Sequence, residues 1–162
     1  MAEPEVLNAV LKVLNELVEG SAPDEAWVLN PEDPGLINSL HKVSAEDASA
    51  VPSGGGASIA AHVDHLRYGL ELLNRWTRGE KPFADADYGA SWRLGAVSEG
   101  EWASRLEALQ REAYAWREAL KHSQGFTDVE LTGVVASAAH LAYHLGAVRQ
   151  IVRATRGPSA RD

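Results

Sequence analysis

The chain has 162 residues, enough for one domain with a continuous core, a formal net charge of −8 and no cysteine. Without thiols there is no disulfide, thiolate ligand or cysteine nucleophile, so a transition-metal site must be built from His, Asp, Glu and water. The acidic balance argues against nucleic acid, since duplex binding needs clustered Lys and Arg. The one basic cluster, Arg149, Arg153, Arg156 and Arg161, reads instead as a partner for the negative end of a helix dipole.

The acidic start Met1-Ala2-Glu3-Pro4-Glu5 lacks the basic and apolar parts of a signal peptide. No run of about 18 apolar residues marks a membrane span. The expected location is the cytoplasm.

Helical periodicity begins over residues 4–19, where Val6, Val10, Val13 and Leu17 are backed by Leu7, Leu11, Leu14 and Val18, and Gly20 stops the pattern. Residues 21–56 form a long passage with a short helix near 35–43 and a turn begun by Ser44 with Asp47. It ends in the flexible run Ser53-Gly54-Gly55-Gly56, which lacks a phosphate-loop lysine. The second long segment, 57–78, carries Ile59, Val63, Leu66, Leu70 and Leu73. Residues 79–97 form a loop rich in aromatics, with Phe83, Tyr88 and Trp92, which either roofs a pocket or caps an end of the bundle.

The third segment, 99–122, opens on a capping box of Ser98 and Glu101, and its inner face is Trp102, Leu106, Leu109, Ala113, Trp116 and Leu120. The fourth, 128–155, shows Leu131, Val134, Ala138, Leu141, Leu145, Val148 and Val152 before Gly157-Pro158. Spacing near 3.5 residues keeps one face of each segment on its neighbours. The expectation is an all-α, single-domain four-helix bundle with long connections over 1–162, and a frayed tail at 158–162. The short link at 123–127 predicts that the third and fourth helices are antiparallel neighbours. Most of the five tryptophans are expected in the core.

The chemistry concentrates in histidine. His140 and His144 are four apart, which on a helix means about 40° of rotation and about 6 Å of rise, so both imidazoles reach one ion. They belong to a second stripe of Gly133, Ser137, His140, His144, Ala147 and Ile151 beside the Leu/Val stripe. The helix is therefore expected to be largely buried, with Tyr143 and Gln150 on its wetter side. Two buried histidines need partners, and a metal is one way to supply them. On the second segment His62 and His65 lie in a stripe with Gly69, Leu72 and Trp76, and either faces the fourth helix by periodicity alone. His41 and His122 read as loop or helix-end residues. The stretch His140-Leu141-Ala142-Tyr143-His144 has no glutamate after the first histidine, which excludes the zincin arrangement, and the Glu-x-x-His pairs of di-iron bundles are absent.

At Ser58-Ile59 with Val63-Asp64-His65-Leu66, and at His140, His144, Gly146 and Arg149-Gln150, the sequence resembles the DinB-like (DinB/YfiT) superfamily of metalloenzymes. The resemblance covers nearly the whole chain in helix order and spacing. It implies a four-helix bundle with metal ligands His65, His140 and His144, which selects His65 over His62; His62 stays a candidate for supporting those ligands or for being the ligand itself. It further implies a zinc or nickel ion with open positions, a homodimer, and chemistry on low-molecular-weight thiols. Characterised relatives include thiol S-transferases using bacillithiol or mycothiol and a mycothiol-dependent maleylpyruvate isomerase. Three histidines without a fourth protein ligand match an open catalytic site. The expected functions are a metal-dependent thiol S-transferase or hydrolase, with a non-catalytic metal-binding stress protein as the alternative and a metal-free bundle as the plain one. Asp64, Tyr68, Glu71 and Tyr143 lie within a turn of the histidines as helpers.

Overall fold

The computed structural model describes residues 3–123 and 125–151. They form α1 (Glu3–Glu19), α2 (Leu36–Leu40), α3 (Ala45–Ser49), α4 (Ile59–Thr77), α5 (Glu99–Lys121) and α6 (Asp128–Ile151), with a 3-10 turn at Ala90–Arg93. The chain is all-α: the described residues contain no strand, only an isolated bridge between Gly20 and Pro34. The expected features Val152, Gly157-Pro158, the arginines at 153, 156 and 161 and the tail 158–162 lie outside the described residues.

Local sequence sets the ends of these helices. Gly20, at φ 123°, takes the conformation that closes α1 and donates its N–H to the Glu16 carbonyl at 2.8 Å. Ser44 caps α3 through the Asp47 amide, and Ser58 caps α4 through the Ala61 amide at 3.2 Å. Both halves of the Ser98–Glu101 box start α5. Thr127 and Glu130 exchange bonds at the start of α6, where Thr127 N–H donates to the Glu130 carboxylate at 2.7 Å.

The four long helices pack mainly in the cyclic order α1–α6–α4–α5. The core is built from Val10, Leu14 and Leu17 of α1, Ile59, Val63, Leu66 and Leu70 of α4, the whole predicted face of α5, and Val134, Ala138, Leu141, Leu145 and Val148 of α6. The short α5–α6 link does not make those helices close backbone neighbours, contrary to the expectation from its length. They face one another across the bundle, with α1 and α4 on either side. The fully buried Trp116 spans the gap, its indole N–H donating to Ser137 Oγ at 3.0 Å.

Arg149 lies in the last turn of α6, as its reading as a dipole partner requires, and it also ion-pairs with buried Asp33 at 3.0 Å and donates to the Pro34 carbonyl at 2.7 Å, which ties α6 to the passage after α1. Two further expectations are corrected. Of the tryptophans only Trp102 and Trp116 are buried, while Trp27 and Trp92 are exposed and Trp76 lies between. And α6 is not buried all round, since Val129, Val135 and Tyr143 face outward. By length and mean hydropathy α6 is also the one described helix that would suffice to cross a membrane; its apolar stripe is spent on the core.

Candidate metal centre

Capping by Ser58 places His62 and His65 in the first two turns of α4, and α6 presents His140 and His144 on the side that faces α4. The four imidazoles meet. His65 Nε2 lies 3.2 Å from His140 Nε2, which lies 2.9 Å from His144 Nε2. His65, His140 and His144 each offer a ring nitrogen, all within 4.8 Å of one another. His41 and His122 lie elsewhere, as the C-caps of α2 and α5.

Hydrogen bonding alone does not account for this cluster. An imidazole nitrogen has one in-plane site, holding either a proton or a lone pair. His140 Nε2 therefore has one proton or one lone pair to share between two neighbours, so at most one of the two contacts is a full hydrogen bond. A cation between the three nitrogens uses every lone pair. The spacing fits: with metal–nitrogen bonds of about 2.0–2.1 Å, two ligand nitrogens are about 2.9 Å apart at a right angle and about 3.3 Å apart at a tetrahedral one. The observed 2.9 and 3.2 Å edges fall in that range.

His62 occupies a different position. Its Nδ1 is 2.8 Å from His144 Nδ1, on the side of that ring away from the other histidines. With His144 Nε2 presented as a lone pair, its proton sits on Nδ1 and donates to His62 Nδ1, the orienting bond that metal-ligating histidines commonly make. His65 has no such support, because its Nδ1 is buried without a hydrogen-bond partner. The Trp92 indole holds it instead, with ring centroids 4.5 Å apart and planes inclined by 31°. Trp92 also stacks toward His144 at 6.1 Å and meets His62 edge-on at 5.5 Å, so it lies against three of the four imidazoles.

The electrostatics suit ligand duty. Burial pushes His144 down from its ordinary 6.5 to about 3, helped by the charges His140, His62 and His65 would carry. Burial likewise lowers His62, His65 and His140; a protonated His62 opposes charge on His65, which Asp64 partly offsets, and His65 opposes charge on His140. All four imidazoles are thus neutral near pH 7, with lone pairs free to bind.

The helpers named from sequence are otherwise engaged. Asp64 Oδ2 accepts the hydroxyl of buried Ser91 at 2.7 Å, while Asp64 Oδ1 pairs with Arg67 at 3.3 Å and Arg105 at 3.9 Å. Asp64 therefore pins the Ala90–Arg93 turn and, through it, Trp92. Glu71 pairs with Arg67 at 2.6 Å, and Tyr68 Oη accepts the Asp87 N–H at 3.2 Å. Tyr143 is 71% exposed and touches His144 only with its ring edge. The aromatic loop 79–97 does roof the site, fastened at Tyr68, Asp64 and, through the Val97 N–H at 2.9 Å, Ser49. Sequence spacing carried no sign of the Ser91–Asp64 bond or of Trp92 above His65.

Neither curated proteins nor solved structures yield a match to this chain. The model of the DinB superfamily matches residues 7–148, from α1 through nearly all of α6 and including all four clustered histidines, and the chain belongs to that superfamily.

Proposed function

We propose that this protein binds one divalent metal ion, zinc or nickel, through His65, His140 and His144, and that it acts as a metal-dependent thiol S-transferase or, with water in place of the thiol, a hydrolase. The observation that carries the reading is the gathering of ring nitrogens of His65, His140 and His144 within 4.8 Å of one another, with His140 Nε2 holding one in-plane site for two neighbours. Bound there, such an ion supplies Lewis acidity, lowering the pKa of a thiol or water taken up at an open position. Three neutral ligands leave the full cationic charge in place, which favours a thiolate there. His62 fixes the His144 tautomer, and Trp92 limits water on its side of the cluster. A low-molecular-weight thiol is the proposed partner.

The alternative, a non-catalytic protein whose ion ties α4 to α6, is favoured by the absence, among the described residues, of a free carboxylate beside the histidines, since Asp64 and Glu71 are both paired. Protein purified without an affinity tag should carry about one metal per chain by elemental analysis. His144→Ala and, at a half-buried position, His140→Ala should each abolish it with helical circular dichroism retained. Full metal content in both variants overturns the assignment. A thiol-transfer screen with and without chelator separates the two functions, since turnover that needs the metal excludes the non-catalytic one.

A further inference from the structure

Beside the histidines, between α4 and α6, lies an apolar cavity of about 300 Å³. Gly69 and Leu73 of α4 form one wall, Gly133 and His140 of α6 the other, and the half-exposed Phe83 and Tyr88 of the 79–97 loop line its rim, which stays open to solvent. The volume is at the lower end of small-molecule sites, the size of a short alkyl chain or one aromatic ring. It exists because the facing residues are small: a Cβ on Gly69 would stand 3.8 Å from His140 Cε1, and one on Gly133 would meet nothing within 4 Å.

The position of His140 gives the cavity its meaning. Cε1 lines the cavity side, and the next ring atom is Nε2, which faces His65 and His144. A chain lying in the cavity thus ends one ring atom away from the point where the three nitrogens converge. Trp92 lies against His65 and His144 of the cluster. The Ser137 hydroxyl on the cavity wall is already engaged, accepting from Trp116 and donating to the Val134 carbonyl, and most of the remaining lining is apolar.

We infer that this cavity is the subsite for the apolar group of the substrate: the protein takes thiols that carry an alkyl or aryl group, with the sulfur at the histidine cluster and the apolar part between Gly69, Gly133 and Phe83. The inference rests on the metal reading above and adds the chemical class of the substrate to it. Alkanethiols share nearly one thiol acidity, so their affinities differ through the chain alone.

The test is a titration of the cobalt-loaded protein with ethanethiol, butanethiol and hexanethiol, read by the thiolate-to-cobalt charge-transfer band. Affinity should rise about three- to fourfold per methylene until the cavity is full. Gly133→Leu, which improves helix propensity and fills the cavity, should keep cobalt binding but lose the gain with chain length. Cobalt bound with equal affinity for all three thiols, or an undiminished gain in Gly133→Leu, overturns the subsite alone. Failure to bind cobalt at all removes the subsite together with the metal reading.

Discussion

Replacing His62 by alanine isolates the support that one imidazole gives another. The change removes the acceptor 2.8 Å from His144 Nδ1 and leaves the other three histidines in place. His144 is only 2% exposed, so its N–H loses its partner where bulk water does not reach it. An unpaired buried donor costs about 1–3 kcal/mol, and orienting partners of metal ligands are typically worth about 10–100-fold in affinity, two figures that agree. His62→Ala should therefore weaken zinc binding by about 10–100-fold with unchanged stoichiometry, measured by competition with a chromophoric chelator. His62→Gln, whose amide oxygen can accept the same bond, should recover part of the loss. Wild-type affinity in His62→Ala refutes the argument. Complete loss of metal in His62→Ala, with binding retained in His65→Ala, exchanges the roles of the two residues.

The metal-free protein should lose stability on acidification. His144 sits at about 3 when folded against an ordinary 6.5, so it contributes nothing above about 6.5; below that the unfolded chain binds the proton first, and stability falls until about pH 3. Urea midpoints should drop across that window, less steeply in metal-free His144→Gln, and identical slopes for the two proteins contradict the assignment. Ser91→Ala removes a hydrogen bond to a carboxylate, worth about 1.5–3 kcal/mol, and frees the Ala90–Arg93 turn. It should lower the melting temperature and speed metal release to a chelator while leaving stoichiometry intact; unchanged release means that Trp92 does not shield the cluster.

Much of the helical framework could be read directly. The face Trp102, Leu106, Leu109, Ala113, Trp116 and Leu120 is buried throughout, and the Ser98–Glu101 box starts α5 where its spacing places it. Such features are local, and a single period reports them. That a histidine of α4 meets His140 and His144 follows from the same stripes once α4 and α6 adjoin; the choice of His65 came from the family resemblance. Other features depend on tertiary placement that no period encodes. His62 and His65 differ by about 60° around α4, too little for spacing to show that one would face the Nε2 side of the cluster and the other the far nitrogen of His144. The diagonal placement of α5 and α6 arises from Trp116 in the centre, and link length alone pointed the other way. Trp92 came from a loop, where neither alternation nor helical spacing constrains which ring ends above which.

His65 and His140 are separated by 75 positions, and all of α5 lies within that interval. The donor set is therefore a product of nearly finished folding: neither α4 nor α6 alone holds more than a pair of imidazoles, and closing so long a loop is slow unless the intervening helix has docked. A cation arriving early would find only weak, bidentate purchase. On the proposed metal reading, metallation is a late event in the life of the chain, and its occupancy is a readout of correct assembly as much as of ion supply.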